Sequence, residues 1–499
     1  MKIALIWPKG FDTNYVLPLA FGYLTSNLDE NKHKIKIIDC SLSKLDSESP
    51  ILRQEIIDFN PDLVGVSCWA TTYYEAIKIL GLVKLIKEDI ITVIGGVHAT
   101  TYFDQTMEHG EVDFLFRGES ELSFPVFLDE LAKDQPKYEN VLGLAYRSSG
   151  SIVKNPMERR DNIDEIRWSD YDAIDLEGYI KSGYRLHTTI KRNAPIWVTR
   201  GCPYRCTFCT APLQNGKKIR THSVEYMVRL VKHLYLEKNI RQFNIIDDNF
   251  TFHTEYAKKF CRAMKALNLK DLRFSTPNGV RVQRTDKELL CLMREAGWRG
   301  LVIAPESGSK KILKKMNKDL NLDVLPEKVE EIRKAGLKCS GFFIIGYPEE
   351  EIEDMKATID LIKKCKFNFF FLNNFQPLPG TPIYDELVRR EEIKDGLMPK
   401  NFSDGERTYT PPALRNVNFP KLVLLLYLNL AFREPLNIPY MITQVNPRMI
   451  FDKVWTNFKN MVLHWFRFIS NKLPDAERKS QVKKLSILFL LSGFYLNIC

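Results

Sequence analysis

Short apolar runs alternate with longer amphipathic stretches through the first 135 residues of the chain. The runs have the length of buried strands, and the stretches between them repeat their apolar residues at helical spacing. The predicted strands are Ile3–Trp7, Ile35–Ile38, Leu63–Ser67, Thr92–Ile94 and Phe114–Phe116, and the clearest helices are Pro18–Leu28, Leu52–Asn60 and Tyr73–Lys87. This pattern predicts a doubly wound α/β domain over residues 1–135, with ligands bound outside the carboxyl ends of its strands.

The strand–helix alternation pauses after this domain and then resumes. Residues 136–190 are less regular, and we expect a connector with some short strands there. Six strand–helix units follow in residues 191–395, which predicts a partial β/α barrel resembling a TIM barrel. The predicted barrel strands are Ile196–Thr199, Phe243–Asp247, Arg273–Thr276, Gly300–Ala304, Cys339–Ile345 and Phe369–Asn373.

The last part of the chain, residues 396–499, is predicted to be a helical region. Its apolar, aromatic, helix-like stretches are Lys421–Phe432, Met449–Ile469 and Ser480–Ile498. Residues 420–499 carry eleven Lys and Arg residues against four Asp and Glu residues. Two interpretations stay open: these helices pack on the barrel, or they make a peripheral contact with an anionic membrane surface.

The composition is that of a globular protein, with 44% hydrophobic and 27% charged residues, and it excludes wholesale disorder and low-complexity repeats. A net charge of +10 on 499 residues is modest, and no Lys/Arg run stands out, so no nucleic-acid partner is expected. The opening residues resemble a buried strand more than a signal peptide, and no apolar run reaches the roughly 20 residues of a membrane span. We therefore expect a cytoplasmic protein in a reducing compartment.

Three of the ten cysteines, Cys202, Cys206 and Cys209, lie within eight positions after the first predicted barrel strand. In a reducing compartment clustered cysteines usually bind metal, and thiolates favour zinc or iron–sulfur. A structural zinc would need a fourth ligand, for which His222 is the nearest candidate. Three ligands with one open position suit a cubane cluster that binds a small molecule. The other seven cysteines are isolated and are expected to be small buried residues.

The spacing C-x3-C-x2-C, with the aromatic Phe208 before the last cysteine, resembles the radical S-adenosylmethionine (SAM) superfamily. The resemblance implies that the three cysteines hold a [4Fe–4S] cluster and that SAM chelates its fourth iron. It also implies that residues at the ends of the later barrel strands bind SAM. With Phe208, these implied cofactor-binding residues are Asp247, Asp248, Asn249, Asn278, Arg281, Glu306, Ser307 and Gly346.

The resemblance gives each of these positions a role. Asp247, Asp248 and Asn249 would receive the amino group of SAM, and Asn278 with Arg281 would bind its carboxylate or ribose. Glu306 and Ser307 would hydrogen-bond the sugar and the amino acid, and Gly346 would let the main chain approach the adenine. The structural alternatives are a strand-end turn for Asp247, Asp248 and Asn249 and a surface salt bridge for Arg281.

An α/β domain ahead of such a barrel resembles the cobalamin-dependent branch of the superfamily, whose first domain is Rossmann-like and binds cobalamin. The implied cobalamin-binding residues are Ser67, Gly95, Gly96, His98, Arg117, Gly118 and Glu119. Many cobalamin domains supply an axial histidine from a D-x-H-x-x-G loop, and Ser41 stands at that place here. The resemblance therefore implies cobalamin with no protein nitrogen on cobalt, or no cobalamin. We expect His98 to hydrogen-bond a cobalamin side chain or the backbone rather than cobalt.

Together the resemblances imply a radical SAM enzyme of the class B methyltransferase type, with a [4Fe–4S] cluster, SAM and cobalamin. It would use a 5′-deoxyadenosyl radical to methylate an unactivated carbon of a small molecule or natural-product intermediate. An oxidative cyclase or rearrangement enzyme of the tetrapyrrole-cyclase type and, more remotely, a non-catalytic cobalamin or iron–sulfur sensor are the alternatives. We expect no catalytic residue beyond the cofactor ligands, an external electron donor such as flavodoxin or ferredoxin, and a monomer. The apolar C-terminal residues favour a hydrophobic substrate.

Overall fold

The computed structural model describes residues 1–10, 16–157, 159–186, 188–399, 407–438 and 440–441. The chain divides into two compact units, Met1–Tyr440 and Met441–Cys499. All the described residues except Met441 belong to the first unit. The predicted helices Met449–Ile469 and Ser480–Ile498 lie outside the described residues.

A sheet forms the N-terminal part of the first unit. Its strands are β1 (Lys2–Trp7), β2 (Lys34–Asp39), β3 (Leu63–Ser67), β4 (Ile91–Gly95), β5 (Phe114–Phe116), β6 (Leu144–Ser148) and β7 (Ser151–Lys154). They lie in the order β2-β1-β3-β4-β5-β6-β7. Strands β1 to β5 pair in parallel, and β6 and β7 add an antiparallel edge. The predicted doubly wound fold is confirmed, and the two added strands come from residues expected to form the connector.

Helices occupy the connections of this sheet and the segment after it. They are α1 (Leu19–Ser26), α2 (Cys40–Ser43), α3 (Pro50–Phe59), α4 (Tyr73–Ile86), α5 (Val97–Thr101), α6 (Phe103–Glu108), α7 (Ser123–Leu131) and α8 (Leu176–Lys181). All five residues of β3 are buried, as expected of a parallel strand covered on both faces. Ser67 pairs with Gly95 in the parallel register, so the carboxyl ends of β3 and β4 lie side by side. This edge of the sheet holds most of the predicted cobalamin residues.

A partial barrel follows the sheet. Its strands are β8 (Asn193–Ile196), β9 (Thr199–Arg200), β10 (Arg220–Thr221), β11 (Gln242–Ile245), β12 (Arg273–Ser275), β13 (Gly300–Glu306), β14 (Lys338–Ile345) and β15 (Phe369–Asn374). Two parallel three-stranded sheets, β12-β11-β8 and β13-β14-β15, form the wall, and a bridge between Val280 and Ile303 joins them. Strands β9 and β10 pair as a short antiparallel ladder. The predicted partial β/α barrel is confirmed.

The barrel helices are amphipathic and lie between these strands in the chain. They are α9 (Ala211–Asn215), α10 (Val224–Glu237), α11 (Thr254–Ala266), α12 (Lys287–Ala296), α13 (Lys310–Lys315), α14 (Leu325–Lys334), α15 (Ile352–Lys364) and α16 (Pro382–Arg389). Side-chain caps begin several of them. The Ser223 hydroxyl, for example, accepts a hydrogen bond from the Tyr226 N–H at 3.1 Å at the start of α10.

One predicted C-terminal helix lies within the described residues, as α17 (Phe419–Arg433). The Tyr427 ring stacks on Phe369 of β15, with ring centroids 5.3 Å apart, and its hydroxyl donates to the Phe370 carbonyl at 3.2 Å. This helix therefore packs on the barrel, which was the first of the two interpretations. No helix among the described residues is long and apolar enough to cross a membrane.

Candidate active site

The loop with the three cysteines follows β9 and is held by backbone contacts. Gly201 has φ +98°, and a Cβ there would collide with the Lys218 carbonyl, so glycine is required. The Cys202 N–H donates to the Gly216 carbonyl at 2.9 Å, and the Cys209 N–H donates to the Cys206 carbonyl at 3.2 Å. The three cysteines are half-buried and unpaired. The sequence therefore places three free thiols on one constrained loop.

The three thiols differ in the effect of burial and in their charged neighbours. Burial raises the pKa of Cys209 to about 12 and also raises the pKa of Cys202. The Arg281 guanidinium donates to the Cys206 sulfur at 3.4 Å and lies 3.3 Å from the centre of the Tyr204 ring. A bound metal reverses the effect of burial, because a coordinating thiol loses its proton. Arg281, predicted to bind SAM, thus lies against the cysteine loop, and Phe208 is half-buried within it.

The zinc alternative needed His222 as a fourth ligand. Its Nδ1 lies 2.9 Å from the Asp164 carboxylate, and its ring stacks on Tyr226 with centroids 4.1 Å apart. His222 is thus engaged inside the barrel wall. Among the described residues, no three His, Cys, Asp or Glu side chains stand close enough to share one metal ion. A [4Fe–4S] cubane makes a different demand, since it bonds each thiolate to a separate iron.

The strand-end residues Asp247, Asp248 and Asn249 have three different environments. Both carboxylate oxygens of Asp247 accept backbone N–H groups, from Val198 and Thr199 at 2.8 Å each, and burial raises its pKa to about 8. Asp248 accepts from the Asn215 amide at 2.8 Å. Asn249 is buried, and its Oδ1 has no hydrogen-bond partner. Asp247 therefore holds the end of the first barrel strand, and Asn249 keeps an unused acceptor that suits an ammonium group.

Three other predicted SAM-binding residues have partners within the protein. The Asn278 amide donates to the Ile246 carbonyl at 2.7 Å. Glu306 has φ +67° and pairs with the Lys318 ammonium at 2.9 Å. The buried Ser307 hydroxyl lies 3.2 Å from the Thr358 hydroxyl. These contacts fix the strand ends, and they use donors and acceptors that the resemblance assigned to SAM.

Gly346 directly follows β14 and has φ +88°, a conformation that favours glycine. Its N–H and that of Tyr347 donate to one carboxylate oxygen of Glu350, while the other oxygen is buried with no partner. Burial raises the pKa of Glu350 to about 7. Sequence reasoning missed Glu350. Its one signal was its place four residues after the glycine that follows the strand.

On the N-terminal side, five of the predicted cobalamin residues line one cavity of about 100 Å³, which we call the apolar cavity. They are Ser67, Gly95, Gly96, Gly118 and Glu119. Gly96 has φ +98°, and a Cβ there would lie 2.6 Å from the Cys68 carbonyl oxygen and 2.7 Å from the Ser67 hydroxyl. The missing side chain leaves a cradle beside Ser67. A flat apolar group with hydrogen-bonding edges, such as the nucleotide base of cobalamin, suits this cradle.

The two remaining predicted residues lie elsewhere. His98 is buried between Tyr73 and Tyr102, with ring centroids 4.4 Å and 5.4 Å away, and burial lowers its pKa to about 4. It does not line the apolar cavity. Arg117 lies over the Phe103 ring at 4.5 Å and lines a second, larger cavity.

The loop at which other cobalamin domains carry an axial histidine is held here by hydrogen bonds to Asp39. Asp39 caps α2, accepting from the Leu42 N–H at 2.9 Å, and its second oxygen accepts from the Tyr179 hydroxyl at 2.7 Å. Ser41 lies inside this short helix. Asp39 therefore stabilises the structure of this loop.

Buried ion pairs join the N-terminal sheet to the barrel. Glu119 makes a two-pronged pair with Arg220, and Arg200 pairs with Glu121 at 2.7 Å and lies 3.6 Å from Glu119. Arg200 also lies over the Trp197 ring at 4.9 Å. Each charge is compensated, as buried charges must be. Sequence reasoning missed both arginines, because their partners are about 80 to 100 positions away.

Comparisons with known proteins agree with these sites. Residues 196–362 match the family described as the Radical SAM superfamily, and residues 13–128 match the B12 binding domain. An uncharacterized methyltransferase from Pyrococcus horikoshii is 30% identical over 373 residues, covering 74% of this chain and 78% of that protein. Cytidylyl-2-hydroxyethylphosphonate methyltransferase from Streptomyces wedmorensis is 29% identical over 420 residues, covering 75% and 78%.

The fold is also found in a solved structure. The radical SAM methyltransferase TsrM from Kitasatospora setae, with cobalamin and a [4Fe–4S] cluster bound, superposes with a TM-score of 0.65 at 18% identity, covering 78% of this chain and 75% of that one. The family matches confirm the prediction of a radical SAM enzyme whose cofactors are a [4Fe–4S] cluster, SAM and cobalamin. The chain therefore belongs to the radical SAM superfamily, in the branch that carries an N-terminal B12-binding domain.

Proposed function

We propose that this protein is a cobalamin-dependent radical SAM methyltransferase that methylates an unactivated carbon of a small molecule. The observation that carries the proposal is the constrained loop of three free thiols in the same unit as the glycine-lined apolar cavity. When bound, the cluster, SAM and cobalamin would supply a carbon-centred radical and a methyl group. The relatives named as methyltransferases support transfer over cyclisation.

The chain's own part is positioning and the exclusion of water. Cys202, Cys206 and Cys209 would hold the cluster, and Arg281 would orient the Cys206 side chain through its hydrogen bond to the sulfur. Asn249 would accept from the SAM ammonium, and the main chain at Gly346 would approach the adenine. Ser67, with the cradle at Gly96, would hold the cobalamin tail. No side chain needs to act as an acid or base.

The test is anaerobic reconstitution of the full chain with iron, sulfide and cobalamin, followed by SAM and a chemical reductant. We expect 5′-deoxyadenosine from the wild type and none from Cys202→Ala, Cys206→Ala or Cys209→Ala. The matched control is Cys291→Ala, because Cys291 is exposed, contrary to its expected burial, and lies on α12. Equal amounts of 5′-deoxyadenosine from the wild type and the three variants would refute the assignment. With a substrate in hand, a product that gains oxygen or loses hydrogen instead of gaining a methyl group would indicate the cyclase alternative.

We also propose that an external donor such as flavodoxin or ferredoxin supplies the electron and that the enzyme works as a monomer in the cytoplasm. Reduction of the cluster by purified flavodoxin and its reductase, followed spectroscopically, tests the donor. Sedimentation of the reconstituted chain at two concentrations tests the monomer. A sedimentation coefficient that rises to that of a dimer would contradict it.

A peripheral membrane contact through α17 is a further part of the proposal. Leu424, Leu425 and Phe432 are 55%, 53% and 85% exposed on this helix, beside basic Arg433. We expect the full chain to co-sediment with phosphatidylglycerol vesicles more than with phosphatidylcholine vesicles. Replacing Leu424, Leu425 and Phe432 by Ser would abolish the difference, whereas Leu85→Ser, an exposed leucine of α4, would not. Equal sedimentation of the triple variant and the wild type would rule out the contact.

A further inference from the structure

A second cavity, of about 560 Å³, lies next to the cysteine loop, and we call it the basic cavity. Its walls come from the end of α5, from residues 212–218 after the cysteine loop, and from Gly380. Five of its fifteen lining residues are Arg or Lys, and only Asp161 is acidic. The apolar cavity, in contrast, is lined by one cation, Arg200, and two glutamates. The excess of positive charge is therefore specific to the basic cavity.

Arg117 faces little negative charge, because Asp104, the carboxylate that acts on it electrostatically, is itself paired with Lys154 at 2.7 Å. No carboxylate of the described residues forms an ion pair with it, and its Nε is buried with no hydrogen-bond partner. The guanidinium lies over the Phe103 ring, and burial lowers its pKa. A guanidinium held in one plane, with unused donors at a cavity wall, is prepared for a two-pronged bond to an oxyanion.

Two of the other cations are paired with carboxylates. Arg220 is neutralised by Glu119, and Lys218 pairs with Asp161 at 2.7 Å. Arg159 donates to the Leu213 carbonyl at 3.1 Å and lies half-buried between Gly118 and Gly216, at each of which a Cβ would come within 2.9 Å of its guanidinium. Lys217 is exposed and also lines the cavity. Arg117 and Lys217 therefore leave the cavity with a positive charge that the carboxylates beside Arg220 and Lys218 do not cancel.

The basic cavity and the cysteine loop share a wall. Cys202 donates to the Gly216 carbonyl, and both Gly216 and Asn215 line the cavity. The Asn215 amide in turn donates to Asp248 at the end of β11. A ligand in the basic cavity thus lies within one hydrogen-bonded step of the loop that would hold the cluster.

We propose that the basic cavity binds an oxyanion group, a phosphate, phosphonate or carboxylate, with Arg117 as its main contact. The group can come from the substrate or from the phosphodiester of cobalamin. The substrate reading rests on the proposed function and makes the substrate an anionic small molecule rather than the hydrophobic one expected from the sequence. The oxyanion site itself does not depend on the reaction.

The test is calorimetric titration of inorganic phosphate and of methylphosphonate into the reconstituted, cobalamin-loaded chain. We expect Arg117→Leu to weaken the Kd about tenfold or more, since the variant loses a charge-assisted hydrogen bond to a half-buried guanidinium. Arg117→Lys should weaken it less, because the charge stays and the fork is lost. Lys310→Gln is the control, because Lys310 is 74% exposed and does not line the cavity. Thermal unfolding of each variant shows that it is folded.

Cobalamin content separates the two sources. If the substrate supplies the oxyanion, phosphate binds the cobalamin-loaded chain and Arg117→Leu leaves the Kd for cobalamin unchanged. If cobalamin supplies it, phosphate binds only the cobalamin-free chain and Arg117→Leu weakens cobalamin binding. Absence of any phosphate or methylphosphonate binding that depends on Arg117, with and without cobalamin, would overturn the proposal.

The outcome is independent of the proposed function. A chain that produces 5′-deoxyadenosine but binds no phosphate would fail this inference alone. A chain that binds phosphate through Arg117 but produces no 5′-deoxyadenosine would fail the proposed function alone.

Discussion

The two halves of the first unit build their candidate cofactor sites from different materials. In the N-terminal sheet the site is a cavity at the strand ends, and it exists because glycines such as Gly96 have no side chain to fill it. In the barrel, carboxylates lie at or just after the strand ends: both oxygens of Asp247 and one oxygen of Glu350 accept hydrogen bonds from backbone N–H groups. A polar residue at a strand end can therefore hold the main chain that meets a ligand without touching that ligand.

The largest expected effect is at the boundary between the halves, where Glu119 pairs with Arg220. Glu119→Gln removes one charge from a buried pair and leaves the arginine uncompensated, which should lower the free energy of unfolding by about 3–5 kcal/mol. Urea denaturation measures the loss. The control is Asp161→Asn, because its pair with Lys218 is exposed and screened by solvent, so its loss should change the free energy of unfolding little. Equal losses in the two variants would mean that the boundary pair has no special role.

The next largest effect tests whether the space beside Gly96 in the N-terminal half is needed for cobalamin binding. Gly96→Ala places a Cβ 2.6 Å from a carbonyl oxygen in a backbone conformation of positive φ, so it should cost about 2–5 kcal/mol and lower cobalamin retention. Retention is measured from the absorbance of the bound cofactor after gel filtration. Gly110→Ala is the matched control, because nothing lies within 4 Å of a Cβ there. Retention that is the same in both variants would contradict the cradle.

A smaller, pH-dependent effect tests the barrel half. The pKa of Glu350 is raised by burial to about 7, so the folded chain binds this proton more tightly than the unfolded chain does. Its stabilising contribution is complete below about pH 4.5 and is lost as the pH rises through about 7. Glu350→Gln keeps the acceptor for Gly346 and cannot ionise, so it should gain about 2 kcal/mol over the wild type between pH 5 and pH 8. Denaturation midpoints across this range measure the gain, with exposed Glu353→Gln as control. A gap between Glu350→Gln and wild type that stays constant with pH would disprove the account.

The smallest expected effect concerns cobalamin affinity, to which we expect Ser67 to contribute and His98 not to contribute. His98 is enclosed by two tyrosines, so His98→Phe should change the Kd for cobalamin by less than about twofold. Ser67 lines the apolar cavity, and Ser67→Ala should weaken binding about fivefold, as expected for one hydrogen bond. Equilibrium titration with cobalamin measures both constants. If His98→Phe binds cobalamin more weakly than Ser67→Ala does, then His98 is part of the cobalamin site.

The periodic parts of this fold could be predicted from the sequence, because strand and helix periods are local properties. The five parallel strands and the six barrel strands follow from such periods, and the three cysteines follow from their spacing. The pairing of Arg200 with Glu121 could not be predicted, because it joins β9 of the barrel to the loop after β5 in the N-terminal half. Nor could the basic cavity, which brings Thr100, Arg117 and Gly380 to one place. The connector strands β6 and β7 were foreseen only as short strands, since their membership in the sheet depends on β5.

The ion pairs at Glu119 also bear on how ligands enter and leave. Separating the N-terminal sheet from the barrel would break the ion pairs of Arg200 and Arg220. Because this would leave buried charges uncompensated, the motion has a high free-energy cost. A ligand of the basic cavity would then have to enter and leave while these ion pairs stay intact. Lys217 and Lys218 are exposed and line this cavity, and because Lys218 is paired with Asp161, Lys217 is the lysine that would attract an anionic ligand before it binds.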